Sequence, residues 1–128
     1  MPFDRRPGER LTRFVFDSGQ LRATAPRIKH SAFMPPTSGK LSIFWTSDLG
    51  DEAVWGICTT HVAPLRGKPV LARGDFNSLV VYAQDLRVDV DGIPDPRHAN
   101  VVGWDMSSTR TRLQALKLAE AAACILPG

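Results

Sequence analysis

The chain has few cysteines and no long apolar run. Its two cysteines, Cys58 and Cys124, are too few for the disulfide framework of a small secreted domain. We expect two buried free thiols, and a disulfide between them is the alternative. No stretch approaches the roughly 20 apolar residues that cross a bilayer, and residues 1–10 lack the apolar segment of a signal peptide. We therefore expect a soluble, cytoplasmic protein with no membrane partner.

The common motifs of catalysis and metal binding are also missing. The three histidines are 31 and 37 residues apart, so no His-x-x-x-His pair exists, and there is no Cys-x-x-Cys pair. The chain contains no Gly-x-Ser-x-Gly motif and no glycine-rich phosphate loop. Residues 89–95 resemble a calcium loop only faintly, because the terminal glutamate is missing. We therefore expect neither a metal nor a cofactor.

Length and composition indicate one globular domain. Of the 128 residues, 43% are hydrophobic and 23% are charged, which is ordinary for a protein with one packed core. Residues 1–10 are polar and contain two prolines and a glycine. The sequence thus predicts a flexible N-terminal arm over residues 1–10 and a single domain over residues 11–128.

The net charge of +3 is distributed unevenly, with +5 on residues 1–40 and −2 on residues 41–128. A basic N-terminal third favours an anionic partner, such as a nucleic acid, a nucleotide or an acidic protein surface. The alternative is a basic surface that only serves solubility, because the chain has no tight cluster of lysine and arginine.

Alternating and β-branched segments predict four or five strands. The clearest covers residues 86–91, where apolar and polar residues alternate strictly. One polar face indicates an antiparallel sheet. The other predicted strands are residues 11–16, 41–46, 53–62 and 100–104. Residues 79–83 fit either a buried strand or a short helix that Asp75, Asn77 or Ser78 could cap.

A helix is predicted at the C-terminal end of the sequence. Ser107, Ser108 or Thr109 can supply the N-cap oxygen, and the alanine-rich segment behind them has high helix propensity. Apolar residues at three- and four-residue spacing predict one buried stripe, formed by Leu113, Leu116, Ala119, Ala123 and Leu126. The predicted fold is α+β: a single domain with a mostly antiparallel sheet of about 4–5 strands and a C-terminal helix packed on one face.

The start of this helix is the first candidate anion site. Its free N–H groups favour anions, yet Arg110 and Arg112 stand where acidic residues are usual. A bound phosphate or carboxylate would compensate these charges, and Ser107, Ser108 and Thr109 add hydroxyl donors. The alternative is that both arginines point to water or pair with Asp95, Asp105 or Glu120.

The segment Arg97-His98-Ala99-Asn100 is the second candidate site. His98 is a candidate general acid or base, because only histidine titrates near neutrality without perturbation. Arg97 would hold an anion and Asn100 would orient a polar group, whereas the alternative is an ordinary turn. His30 and Arg73 are further candidates for an anion site.

Three functions follow as hypotheses. The first is a small non-catalytic binding or accessory module for an anionic partner. The second is a small metal-independent enzyme acting on a phosphate-containing substrate, with His98 as acid or base beside Arg97, Arg110 and Arg112. It requires that the turn and the helix start meet in one cleft. The third is a structural subunit of a homo-oligomer.

Overall fold

The computed structural model describes residues 8–22 and 24–128, and within these residues it contains eight strands and four α-helices. The strands are β1 (Arg10–Val15), β2 (Leu21–Arg22), β3 (Arg27–Ile28), β4 (Leu41–Trp45), β5 (Ala72–Asn77), β6 (Arg87–Val90), β7 (His98–Val102) and β8 (Ala123–Ile125). The helices are α1 (Asp51–Ile57), α2 (Ala63–Arg66), α3 (Ser78–Ala83) and α4 (Ser108–Ala121). A π-helical segment, Cys58–Val62, joins α1 to α2.

Six strands form one antiparallel sheet in the order β6-β7-β4-β1-β5-β8, and β2 pairs only with β3. The predicted α+β fold with an antiparallel sheet and a C-terminal helix is therefore confirmed. The sheet is larger than the four or five strands that we expected. Residues 1–7 of the predicted flexible arm lie outside the described residues, and Arg10 already belongs to β1.

The two faces of the sheet carry different side chains. One face, which we call the α4 face, packs on α3 and α4 and holds the main core, including Leu11, Ile43, Ala99, Val101 and Leu118. The opposite face, which we call the α1 face, packs on α1 and the π-helical segment through Phe14, Phe16, Phe44, Val54, Ile57 and Cys58. Burying each large apolar side chain contributes roughly 1.5–3 kcal/mol. Because neighbouring strand residues point to opposite faces, Ser42, His98 and Asn100 lie on the α1 face.

The strand predicted over residues 53–62 is wrong, because this segment is most of α1 and the whole of the π-helical segment. Asp51 and Glu52 occupy the first helical turn, where negative charge is favourable. Val54, Ile57 and Cys58 recur at helical spacing and fill the core beneath the sheet. Tertiary packing therefore outweighs the β-propensity of the segment. Of the two alternatives predicted for residues 79–83, a buried strand or a short helix, the structure shows the helix. This helix is α3, and Asn77 is its N-cap.

The predicted helix over residues 107–126 is right at its start and wrong at its end. Ser107 is the N-cap of α4, but the chain leaves the helix after Ala121 and forms β8 against β5. The predicted stripe is also displaced, since Leu113 is 52% exposed and Leu116 is 38% exposed. Instead α4 faces the sheet through Thr111, Gln114, Ala115, Leu118 and Ala119. Small alanines permit a close approach of helix and sheet, which explains the choice of face.

Candidate functional site

His98 lies between a hydroxyl and a carboxylate on the α1 face. Its Nδ1 is 2.6 Å from Asp91 Oδ1, and its Nε2 is 2.6 Å from Ser42 Oγ. The ring packs edge-on against Phe44 with 5.2 Å between ring centroids, and His98 is 9% exposed. We call these hydrogen-bonded residues the Ser42–His98–Asp91 triad.

The environment of Asp91 determines which nitrogen of His98 carries the proton. Burial raises the pKa of Asp91, but hydrogen bonds from His98, the Ile93 N–H and Asn100 outweigh burial and hold the pKa below its usual value. An ionised carboxylate can only accept hydrogen bonds, so Nδ1 of His98 is the donor. In the neutral ring, Nε2 is then free to accept the hydroxyl proton of Ser42.

Sheet register and a tight turn assemble the triad. Ser42 pairs with Asn100, and Phe44 pairs with His98, so β4 and β7 present these residues side by side. After β6 the chain reverses at Gly92, whose φ of +68° favours glycine, and the Gly92 N–H donates to the carbonyl of His98 at 3.1 Å. Because Val90 pairs with Ala99, the register of β6 and β7 places Asp91 opposite His98, and the turn at Gly92 closes this end of the pair.

The sequence predicted His98 and Asn100 as neighbours in one site but missed Ser42 and Asp91. Ser42 is 56 positions from His98, and only the pairing of β4 with β7 joins them. The one sequence signal was a serine in an otherwise apolar, aromatic strand. The alternating pattern of residues 86–91 predicted Asp91 to be a solvent-exposed strand residue. Only the pairing of β6 with β7 places it beside His98.

A small recess opens beside Ser42 where β1 and β4 separate. These strands pair only at Leu11 with Trp45 and at Thr12 with Phe44, whereas β1 pairs with β5 over six residues. The Arg13 side chain bridges the separation, donating from Nη1 to the Ser42 carbonyl at 2.9 Å and from Nε to the Ala32 carbonyl at 2.8 Å. The recess holds about 30 Å³, close to the volume of one water molecule, and is lined by Thr12, Arg13, Phe14, Ser42, Phe44, Val62 and Arg66.

Two arginines make this recess electropositive. Burial, followed by repulsion from Arg66, lowers the pKa of Arg13 to about 10, so its guanidinium stays protonated at neutral pH. Within the part of the chain that the structure describes, no ion pair to a carboxylate is formed by either arginine. Arg66 lies over Phe16, 5.5 Å from the ring centroid. The recess therefore suits an oxygen atom that carries negative charge.

The π-helical segment positions one wall of the recess. Val62 ends this segment, and Arg66 follows four residues later in α2, so both side chains project to the same side. π-Helical turns are rare and are frequently found at functional sites, since the extra residue shifts the helical register. Here Val62 and Arg66 line the recess together with Ser42.

Arg97 and Arg110 have partners other than a ligand. Arg97 forms hydrogen bonds to both carboxylate oxygens of Asp48, at 2.7 and 3.0 Å, and lies 4.4 Å from the ring centroid of Trp45. This hydrogen bonding raises the pKa of Arg97 and lowers the pKa of Asp48. Arg110 pairs with Asp85 at 3.3 Å on the surface.

Several other candidates meet in a groove between α4 and residues 26–34. One depression of about 580 Å³ contains His30, Ser108, Thr109, Arg112 and Leu116. It shares His30 and Leu116 with a second depression of about 670 Å³. We call the two together the α4 groove, which is lined by Arg22, Pro26, Arg27, Ile28, Lys29, His30, Met34, Ser108, Thr109, Arg112, Leu113, Leu116, Ala119, Glu120, Ala122 and Cys124. Ser107 lies outside this set, and its hydroxyl accepts the Arg110 N–H at 3.3 Å.

The structure does not bring His98 together with Arg110 and Arg112. His98 faces the α1 side of the sheet, whereas its neighbour Ala99 packs in the core beneath α4. The turn and the helix start therefore lie on opposite faces. The cleft that the phosphate-enzyme hypothesis requires is not formed in this arrangement.

Arg73 is buried within a network of its own. It is 0% exposed, pairs with Asp75 at 3.2 Å and with Asp51 at 2.6 Å, and lies 5.0 Å from the ring centroid of Trp55. Thr12 donates to the other oxygen of Asp75 at 2.8 Å. This setting gives Arg73 a structural role rather than a place in an open ligand site.

The described residues contain no group of three or more histidine, cysteine, aspartate or glutamate side chains that could hold a metal ion. No helix found among them has the length and apolar character needed to cross a membrane. Both cysteines in this part of the chain are free thiols.

Comparison of the chain with protein-family models, with curated proteins and with solved structures finds no match. The function must therefore be argued from the geometry of the two sites, the triad on the α1 face and the groove along α4.

Proposed function

We propose that this protein is a binding module whose α4 groove recognises an acidic, partly apolar peptide segment of a partner protein. One observation carries the proposal. Several cationic side chains that have no carboxylate partner line the same groove, and the floor of this groove is apolar. Anionic partners were expected from the basic N-terminal third, and most of the groove's positive charge comes from that third.

The charge of the groove is strongly positive. Four cationic side chains line it: Arg22, Arg27, Lys29 and Arg112. None of them forms an ion pair within the described residues. The only acidic residue among the described lining residues is Glu120, which lies 3.8 Å from Lys117. An acidic ligand would thus meet charges that no internal partner neutralises.

The floor of the groove is apolar and accessible. Leu113 is 52% exposed, Leu116 is 38% exposed and Met34 is 36% exposed. Contiguous exposed apolar surface rimmed by polar groups is typical of an interaction site. Each Å² of this surface that a ligand removes from water contributes about 25 cal/mol.

The length and the side-chain chemistry favour a peptide over a nucleic acid. The lining residues run from Ser108 to Ala122, which at a rise of 1.5 Å per residue corresponds to roughly 20 Å, or about six residues of extended chain. Among the described residues, no phenylalanine, tyrosine or tryptophan lines the groove, so bases would lack the large aromatic rings on which they usually stack. An acidic segment with interspersed apolar residues would match both the rim and the floor.

Charge reversal in the groove tests the proposal. The ligand is a fluorescein-labelled peptide of alternating glutamate and leucine, and binding is measured by fluorescence anisotropy. The double variant Lys29→Glu/Arg112→Glu should weaken binding roughly tenfold or more, because attraction becomes repulsion at two points along the rim. The matched control Lys40→Glu changes an exposed lysine that does not line the groove, and it should leave the affinity within about twofold.

Two outcomes would contradict the peptide proposal. Equal weakening by Lys40→Glu would show that the basic surface attracts anions without a defined site. Tighter binding of a labelled oligothymidylate than of the peptide, with the same loss in the double variant, would assign the groove to nucleic acid instead.

A further inference from the structure

We propose that the Ser42–His98–Asp91 triad is a hydrolytic centre in which Ser42 attacks small esters that carry a negative charge. This activity is separate from peptide binding in the α4 groove, because the triad lies on the opposite face of the sheet. It rests on three observations: the hydrogen bonding of the triad, the unpaired arginines beside it and the recess between them.

The triad has the geometry of an activated hydroxyl. Both distances, Ser42 Oγ to His98 Nε2 and His98 Nδ1 to Asp91 Oδ1, are 2.6 Å, which is within the range for a nucleophile, its base and an orienting group. The two contacts use opposite nitrogens of one ring, so the base points at the hydroxyl while the carboxylate holds the ring. Asn100 donates to the second oxygen of Asp91 at 3.1 Å and fixes the carboxylate in turn.

Asp91 and Asn100 act through His98 rather than on a substrate, so we regard them as positioning residues. His98 is the general base, and Ser42 is the group that touches the substrate. The ring of His98 is nearly buried, while the Asp91 side chain keeps 40% of its surface exposed. Because the ring is already held in its reactive orientation, little entropy is lost in orienting the base during the reaction.

The recess can hold the charge that develops on the substrate. Its volume of about 30 Å³ accommodates a single oxygen atom or one water molecule, and it lies directly beside Ser42. Arg13 and Arg66 supply positive charge, while Phe14, Phe44 and Val62 keep the surroundings apolar. Charge stabilisation is stronger in such a site than in water. Arg66 is exposed and can also reach an anionic group on the substrate outside the recess.

The reaction is ester hydrolysis in two steps. Ser42 Oγ forms a bond to the carbonyl carbon as its proton passes to His98 Nε2, and the carbonyl oxygen becomes an oxyanion. The bond to the leaving oxygen then breaks, and His98 returns the proton to the departing alcohol. In the second step, water attacks the carbonyl carbon of the acyl-Ser42 ester and gives a proton to His98. The bond from this carbon to Ser42 Oγ then breaks, His98 returns the proton to Oγ, and the carboxylic acid leaves.

The other nucleophilic side chain near this face is not activated. Burial raises the pKa of the Cys58 thiol to about 11, so the reactive thiolate is scarce at neutral pH. Cys58 is also 1% exposed and lines no part of the recess. A covalent adduct at this face is therefore expected on Ser42.

The experiment uses p-nitrophenyl succinate, an ester with a free carboxylate, and p-nitrophenyl acetate, its uncharged counterpart. Nitrophenolate release is followed by absorbance, and the acyl adduct is located by mass spectrometry of peptides from the quenched protein. The wild type should release nitrophenolate catalytically and carry the succinyl group on Ser42. Ser42→Ala should lose the adduct and at least about 100-fold of the rate, while Ser18→Ala, a matched change at an exposed serine, should leave both unchanged.

Two further variants separate chemistry from a structural role. Arg66→Gln should lower kcat for both esters, because it removes positive charge from the recess, and should in addition raise KM roughly tenfold for the succinyl ester, the substrate that carries a charge. Asp91→Asn should lower kcat with little change in KM, since it removes orientation of the base.

Absence of turnover by the folded wild type would overturn the proposal. So would an adduct on any residue other than Ser42. Far-UV circular dichroism shows whether each variant is folded. The position of the acyl adduct in the wild type tests the proposal even if Ser42→Ala does not fold. None of these results depends on the α4 groove.

Discussion

Arg73 places a full positive charge inside the α1 face of the sheet. Two carboxylates and the ring of Trp55 surround its guanidinium, and its Nη1 is a buried donor without a partner among the described residues. Asp75 is itself buried and relies on Arg73 and Thr12 for its hydrogen bonds. Removal of one member of such a pair leaves the other as an uncompensated buried charge.

We therefore expect Arg73→Met to lower the free energy of unfolding by about 3–5 kcal/mol. Urea denaturation followed by tryptophan fluorescence measures the change. The double variant Arg73→Met/Asp75→Leu removes both charges and should recover a large part of the loss, because well-packed apolar residues often replace a buried pair without cost. A loss below about 1 kcal/mol for the single variant would contradict the role of Arg73 in compensating the buried charge of Asp75.

Among the elements, α4 combines an N-cap with an unusual distribution of charge. Ser107 accepts the Arg110 N–H, but the first turn contains no acidic residue. The positive end of the helix dipole therefore lacks the negative charge that usually stabilises it. The helix is held mainly by the core contacts of Ala115, Leu118 and Ala119.

The cap predicts opposite effects for two changes at one position. Ser107→Ala should lower the free energy of unfolding by about 1 kcal/mol through loss of the cap hydrogen bond. Ser107→Asp keeps an acceptor and adds charge favourable to the helix dipole, so it should match or exceed the wild type by about 0.3–1 kcal/mol at low salt. Thermal unfolding at two salt concentrations separates the terms. Equal stability of the wild type and Ser107→Ala would contradict a role for the cap.

At the scale of the whole molecule, the sheet separates two surfaces of different chemistry. The α4 groove lies between α4 and residues 26–34, whereas the triad and its recess lie on the α1 face of the sheet. The main core, with Leu11, Ile43 and Val101, fills the space between the sheet and α4. Among the residues that the structure describes, none lines both the recess and the groove.

This separation predicts that the two sites act independently. Lys29→Glu/Arg112→Glu should weaken peptide binding but leave ester hydrolysis within about twofold, and Ser42→Ala should do the reverse. In a variant that combines all three changes, the effects should add within about 0.5 kcal/mol. A groove variant that also abolishes the Ser42 adduct would indicate coupling through the sheet and would contradict independent sites.

Local pattern accounts for much of the fold and for part of the candidate site. Strict alternation located β6, aromatic and β-branched residues located β4, and a serine cap located the start of α4. For residues 53–62 the same patterns predicted a strand, and the prediction is wrong. The β-branched residues of this segment lie in a helix that packs against Phe14 and Phe44. Local propensity is weak beside the burial of a whole helix face.

Closeness along the chain predicted which candidate residues lie together in the structure only where they are a few positions apart. His98 and Asn100 lie two positions apart on one strand and do share a site. His30 and Arg112 were candidates separately, and only the packing of residues 30–33 against α4 brings them to one groove. Ser42 carried almost no signal, since a lone serine in a strand is common.

Composition and short-range pattern were enough to indicate an α+β protein with a basic N-terminal third and a capped terminal helix, because these properties depend on neighbouring residues alone. Strand order, the separation of β1 from β4 at Arg13 and the meeting of Ser42, His98 and Asp91 depend on pairing between distant segments. Such pairing is selected by the burial of the whole core and by the hydrogen-bond register of the sheet, and neither is visible in any one stretch of sequence.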